Sequence, residues 1–323
     1  MEIASNIHLI PGLVGTRPLQ LYLLNGPLRR VLLDTGCAPD PERMISPYLH
    51  QIGLDLTAID MVINTHCDLD HCGGNHALKK ANPQLQLTCS EADRPLIENP
   101  QTMWDLRYNA YHSEHGIRYD DLGREAIFAA LGQPQPVDWT WTGGETLSLG
   151  DNWRVEIHHV PGHSQGHLAV FDPRSGTMLF GDAVHGAVYL DQGGLPALCP
   201  TYLQVDHYLE TIQYLRSLPI RCLAGCHWPI KRGTEVGTFL DESRAFVEKA
   251  DQVILAKLSC SPDGKTLREL IDNAGPELGS WPLAANNELV YALSGQLERL
   301  VSNVKVTAMA DAHPLRYKTA CNG

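Results

Sequence analysis

Thr65-His66-Cys67-Asp68-Leu69-Asp70-His71-Cys72-Gly73-Gly74-Asn75 carries four side chains able to bind a metal, His66, Asp68, Asp70 and His71, within six residues. The stretch follows an apolar run, Ile59 to Asn64, that reads as a buried strand. A loop at a strand end can turn such side chains toward one point, because the strand fixes its entry and Gly73 and Gly74 free the backbone behind it. A single His or Asp in a loop is more often an ordinary surface residue. Clustered imidazoles and carboxylates instead mark metal or catalytic sites.

Three later stretches repeat the arrangement. Val160-Pro161-Gly162-His163 puts an imidazole just past a predicted strand, Phe180-Gly181-Asp182 ends the next strand with an acid, and Ala224-Gly225-Cys226-His227 ends another with a further His. Four strand ends that each offer ligands are what a single site built by loops at one edge of a sandwich requires. Cys67, Cys72 and Cys226 flank these ligands, and side chains adjacent to inward-pointing ones should point away, which makes them packing residues. His167 and His185 lie close enough in sequence to contact a substrate, but a lone extra His is more often a hydrogen-bonded structural residue. His76 and His207 are expected on helices or the surface.

The ordered set resembles the metallo-β-lactamase superfamily, whose pattern is H-x-H-x-D-H followed by a distant His, a distant Asp and a final His. The resemblance covers about Ile7 to Pro229 and implies an αββα four-layer α/β sandwich. Carried over by position, it implies that His66, Asp68 and His163 hold one metal, that Asp70, His71 and His227 hold a second, and that Asp182 bridges them. Asp34, in Leu33-Asp34-Thr35-Gly36, matches a position that usually supports a ligand rather than binding metal. This chain departs from the common form where Asp68 replaces the second His. Asp68 either gives a harder, more anionic site or leaves the first site weak. Two divalent ions are implied, zinc first, with iron or manganese as alternatives because added carboxylate shifts preference toward harder ions. A Glu at the place of Asp68 characterises the flavodiiron branch. Antibiotic-hydrolysing members usually carry Cys where Asp182 stands, so the larger group that cleaves thioesters, lactones, esters or phosphoesters fits better. In such a site the metals lower the pKa of a bridging water from about 15.7 toward about 7 and polarise the substrate carbonyl. Asp70 is the candidate to orient that water and carry its proton to the leaving group.

Around the motifs, Ile7 to Gly36 reads as antiparallel strands, Pro41 to Ile52 as an amphipathic helix, and Arg154 to Val160, Leu168 to Phe171 and Thr177 to Phe180 as strands. Tyr202 to Leu218 reads as a helix and Ile220 to Ala224 as a short strand. These place a catalytic domain at 1–250, interrupted by a mostly helical insertion at 91–145, and a small C-terminal domain at 251–323 that loosely resembles a winged helix. The insertion carries ten acidic residues against four arginines, and its Trp104, Tyr108 and Tyr111 could form an aromatic lid over the metal mouth.

Composition narrows the function. With 43% hydrophobic and 19% charged residues the chain has material for a sizeable core. A net charge of -12, with a tail of seven basic and eight acidic residues, speaks against nucleic acid and anionic membranes as partners. Nine cysteines without C-x-x-C pairs, and a start without a secretory pattern, suit a reducing cytoplasm. The expected partner is a small-molecule substrate, with a homodimer possible. The leading function is a metal-dependent hydrolase using a hydroxide bound by two metals to cleave an ester, thioester or lactone. Two others stand beside it: a diiron oxidoreductase or oxygenase, disfavoured by the lack of a flavodoxin-like module, and a binding protein with a vestigial site.

Overall fold

The computed structural model describes residues 1–309 and 311–320. Short apolar strands, several of them buried on both faces, build two facing sheets. In the first, β1 (Glu2–Ala4), β2 (Ile7–Val14), β3 (Arg17–Asn25), β4 (Arg30–Leu33), β5 (Met61–Ile63), β6 (Gln86–Ser90) and β7 (Trp139–Trp141) lie side by side in chain order. β1 to β4 pair antiparallel, and β4 to β7 pair parallel. The second sheet contains β8 (Thr146–Gly150), β9 (Trp153–His159), β10 (Leu168–Asp172) and β11 (Thr177–Gly181). A short ribbon follows, β12 (Tyr189–Leu190) with β13 (Pro196–Leu198), and then β14 (Cys222–Gly225) and β15 (Lys231–Arg232) complete the second sheet, with β14 parallel to β11.

Successive side chains on a strand face opposite ways, and the buried clusters follow that period. Tyr22 and Leu24 join Leu168, Val170 and Leu179 between the sheets. Leu21 and Leu23 face outward, onto Met44, Ile45 and Leu49 of the helical turns Pro41–Gln51. Ala169, Phe171, Met178 and Phe180 cover the outer face of the second sheet, against Tyr208, Ile212, Phe239 and Phe246. The layers are therefore helix, sheet, sheet, helix, the expected αββα sandwich.

Two regions differ from the sequence reading. Short helical segments fill most of residues 94–131, but Trp139–Trp141 is an edge strand of the first sheet, paired with β6. Trp141 donates its indole N–H to Thr88 Oγ1 inside that sheet at 2.8 Å, so Trp139 and Trp141 serve packing rather than a lid. At the other end, one helix, Thr234–Ser259, runs straight through the expected boundary at 250. Leu267, Leu270, Leu293 and Leu297 from the C-terminal helices enter the same apolar cluster as the second sheet. The strand Lys265–Thr266, the helices Leu267–Leu278 and Leu289–Ser302, and the hairpin Val306–Met309 with Arg316–Thr319 follow in that order. Among the described residues no helix is long and apolar enough to cross a membrane.

Candidate metal centre

All seven predicted ligands meet at one edge of the sandwich. β5 delivers His66, and Asp68 stands at the head of a single helical turn, Leu69–Cys72, that presents Asp70 and His71. His163 lies in the loop between β9 and β10, Asp182 follows β11, and His227 follows β14. Asp68 Oδ2 is 2.9 Å from His163 Nε2 and 3.6 Å from His66 Nε2. Asp70 approaches His227 Nε2 at 3.4 Å and His71 Nε2 at 3.8 Å, while Asp182 approaches the same two nitrogens at 3.3 and 3.8 Å. Donors bound at about 2.0–2.2 Å to one tetrahedral ion lie roughly 3.3–3.6 Å apart, so the approaches of 3.3–3.8 Å suit ligands of a shared ion, while Asp68 and His163 stand at hydrogen-bond distance.

Tautomers make the fit specific. His71 Nδ1 faces Asp34 Oδ2 at 2.8 Å, His163 Nδ1 the Thr201 carbonyl at 3.0 Å, and His227 Nδ1 the Pro18 carbonyl at 2.7 Å. Those oxygens can only accept, which places the proton on Nδ1. Thr65 gives its hydroxyl proton to Asp34 and so accepts from His66 Nδ1 at 3.1 Å. Each Nε2 lone pair is thereby turned toward the centre, as metal-binding histidines require. The Nε2 atoms of His66 and His71 and Oδ1 of Asp182 are buried with no hydrogen-bond partner. Buried acceptors that converge without a proton donor suit a shared cation. Burial pushes the His66 imidazole well below its ordinary pKa and keeps it neutral.

Gly181 allows this convergence. Its φ is +53°, and a Cβ there would stand 2.6 Å from Thr65 Oγ1 and 2.9 Å from the His167 ring. Gly181→Ala should therefore destabilise the fold by about 1–3 kcal/mol. Denaturant unfolding checks this, and an unchanged midpoint would show the contact to be loose.

Several residues give the site a structure that sequence spacing did not reveal. Arg107, fully buried in the helical segment, forks onto both oxygens of Asp68 and lies 3.4 Å from His163 Nε2. Burial alone would raise the Asp68 pKa, but Arg107 and His163 outweigh it and hold the carboxyl well below its usual range. Tyr189 donates to Asp182 Oδ2 at 3.2 Å. His167 accepts the Asp182 backbone N–H at 3.1 Å and gives its Nδ1 proton to the Leu168 carbonyl, so it positions Asp182. His185 stacks on Tyr208 behind His163, with both ring nitrogens buried and unpaired. Cys67 and Cys72 pack in an apolar cluster with Cys89 and Met103, as expected. Cys226 Sγ lies 3.7 Å from Asp34 Oδ2.

A cavity of about 370 Å³ opens over the centre, lined by Arg17, Tyr108, Tyr119 and Tyr189, and by Glu288 and Tyr291 from the C-terminal helical segment. The aromatic lid is thus only partly the one expected. Tyr108 reaches the cavity, whereas Trp104 is buried beside Ile127 and Met103, and Tyr111 packs on Tyr291 and bonds Ser294. Tyr119 takes its place and donates to Glu288 at 2.9 Å. Burial raises the Glu288 pKa above its ordinary value, partly opposed by that hydrogen bond.

Residues 15–227 match the family model of the metallo-β-lactamase superfamily. The chain belongs to this superfamily. Among curated relatives, the hydroxyacylglutathione hydrolase of Thermosynechococcus vestitus is 24% identical over 64% of this chain and 62% of its own length. The acyl-coenzyme A thioesterase MBLAC2 of Bos taurus is 25% identical over 63% of this chain and 69% of its own. A probable metallo-hydrolase of Bacillus subtilis is 23% identical over 50% of this chain and 51% of its own. The chain thus spans about half to two-thirds of the length of these relatives. Of solved structures, a metallo-β-lactamase family protein of Thermus thermophilus aligns with a TM-score of 0.74 at 20% identity, covering 98% of this chain and 100% of that one. A β-lactamase domain protein of Burkholderia ambifaria gives 0.72 at 17% identity, covering 99% and 93%. At these identities the likeness establishes the superfamily fold.

Proposed function

We propose that this superfamily member is a metal-dependent hydrolase that cleaves an ester, thioester or lactone bond of a small organic substrate. The observation that carries the reading is the convergence of four imidazoles, each with Nδ1 engaged and Nε2 turned to the centre, on three carboxylates at the floor of a cavity. His66, Asp68 and His163 form one donor set and Asp70, His71 and His227 the other, with Asp182 facing the second set and reaching toward His66. These residues would hold divalent ions, which when bound would supply a water acidified from about 15.7 toward about 7 and a Lewis acid for the carbonyl oxygen, in place of a Ser or Cys nucleophile.

The chain's own groups do the rest. Asp70 sits at the cavity floor with both oxygens toward His71 and His227, placed to orient the attacking water and pass its proton to the leaving group. Tyr189 holds Asp182 in place through its hydroxyl. The tyrosines and the aliphatic wall of Leu198, Ala284 and Ala285 favour an apolar acyl or ring portion over a free polar chain. The thioesterase and hydroxyacylglutathione hydrolase names among the relatives support the acyl-transfer class.

A panel of thioesters, lactones and carboxylic esters tests the reading. Turnover of at least one class is expected, lost on exhaustive chelation and restored by zinc or manganese. A folded preparation that keeps full activity after chelation would overturn it.

A further inference from the structure

The exchange of the usual second His for Asp68 is matched by a cation that the rest of the site does not require. Arg107 is 6% exposed, and its Nε and one terminal nitrogen bind the two oxygens of Asp68, the latter at 2.8 Å from Oδ2. Its other terminal nitrogen donates to the His163 carbonyl at 3.3 Å, and its guanidinium lies 5.3 Å over the Tyr291 ring. A planar fork held on four sides is a fixed charge, not a mobile side chain. It stands against the donor set His66, Asp68 and His163 and against no other. Among the described residues, no Lys or Arg nitrogen forms an ion pair with Asp70 or Asp182, whose neighbours within that range are the imidazoles of His71 and His227.

The two sets are therefore electrostatically unequal. A divalent ion entering the first set must share both oxygens of Asp68 with a guanidinium and sit within a few ångströms of its positive charge. An ion entering the second meets carboxylates and imidazoles with no guanidinium bound to them, since Arg17 lines the same cavity but, among the described residues, pairs with neither Asp70 nor Asp182. We propose that Arg107 acts as the resident cation of the first set, so that the centre binds one divalent ion tightly through Asp70, His71, Asp182 and His227 and a second only weakly. Arg107 is then a positioning residue that sets metal occupancy. Tyr291, from the C-terminal helical segment, helps hold it in place.

This inference rests on the proposed metal chemistry but is read from stoichiometry, so it can fail while hydrolysis stands, and hydrolysis can fail while it stands. Metal-free protein is titrated with zinc against a chromophoric chelator, and zinc retained after desalting is counted by mass spectrometry. The wild-type chain should retain one ion, with a second step weaker by at least about 10-fold. Arg107→Met should tighten that second step by about 10- to 100-fold, the range expected when a neighbour of a metal ligand is changed. Because Arg107→Met leaves Asp68 without its partner, the double variant Arg107→Met with Asp68→His guards against misfolding by removing both charges, and it should retain two ions. A wild-type chain that holds two ions with equal affinity, or none, overturns the proposal. So does a folded Arg107→Met or double variant that still holds one.

Discussion

Asp70→Asn should lower turnover of whichever thioester, lactone or ester proves to be a substrate by about 10²- to 10⁴-fold while leaving the fold intact. Asp70 is 7% exposed, and among the described residues its carboxylate accepts no hydrogen bond other than its approaches to His71 and His227. Asparagine keeps the shape and one ligand oxygen but loses the charge and the proton acceptor. Those are the two properties that the proposed proton transfer uses. Burial alone would raise the Asp70 pKa, yet His71 and His227 outweigh it and hold it below its ordinary value, so the group is an anion at neutral pH. The damage should fall on kcat rather than KM, because the hydrogen bonds that shape the cavity wall do not involve this residue. Steady-state kinetics beside a thermal melt make the comparison. A variant within about 10-fold of wild-type kcat would remove Asp70 from the proton path.

Much of this arrangement is legible in the sequence, and the reason is local. A strand fixes where its last residue points, so His66, Asp182 and His227, each within a few residues of a strand end, can be placed without long-range information. Once the strands are placed, alternation of side-chain direction sends Leu21 and Leu23 to one layer and Tyr22 and Leu24 to the other, whereas the uniformly apolar Leu168 to Phe171 shows no such period in sequence. Arg107 cannot be placed in this way. It sits on an irregular helical segment, Trp104–Tyr108, 39 residues beyond Asp68, and only the added negative charge at position 68 hints that a countercharge must exist somewhere. The expected boundary at 250 has the same weakness, since composition changes there while the chain continues as one helix into a shared core. Glu288 and Tyr291 reach the cavity through that packing. Trp139 and Trp141 fall inside the expected insertion because aromatic content alone does not separate a strand in a sheet from a cover over a site.

Asp34→Ala should destabilise the metal-free chain by about 3–5 kcal/mol, the cost of removing one partner of a buried ionic pair. Asp34 is completely buried and organises the floor beneath the ligands. It accepts the Thr65 backbone N–H at 2.6 Å, the Thr65 hydroxyl at 2.8 Å and His71 Nδ1 at 2.8 Å. Burial works against a charged His71, but Asp34 more than compensates and raises its pKa well above the ordinary value. Removing the carboxylate strands three donors in an apolar interior and frees both His71 and, through Thr65, His66 to rotate. Alanine also fits poorly at φ +62°, a left-handed backbone that Asp and Asn tolerate better than other side chains. Asp34→Asn keeps an acceptor and the backbone preference, so it should lose less stability, yet it should still weaken metal retention by about 10- to 100-fold because the proton on His71 Nδ1 is no longer fixed by a charge. Urea unfolding of the metal-free variants separates the two effects from metal binding measured on the same preparations. An Asp34→Ala chain that unfolds within about 0.5 kcal/mol of wild type would mean that the strand end, rather than this carboxylate, holds the ligands in register.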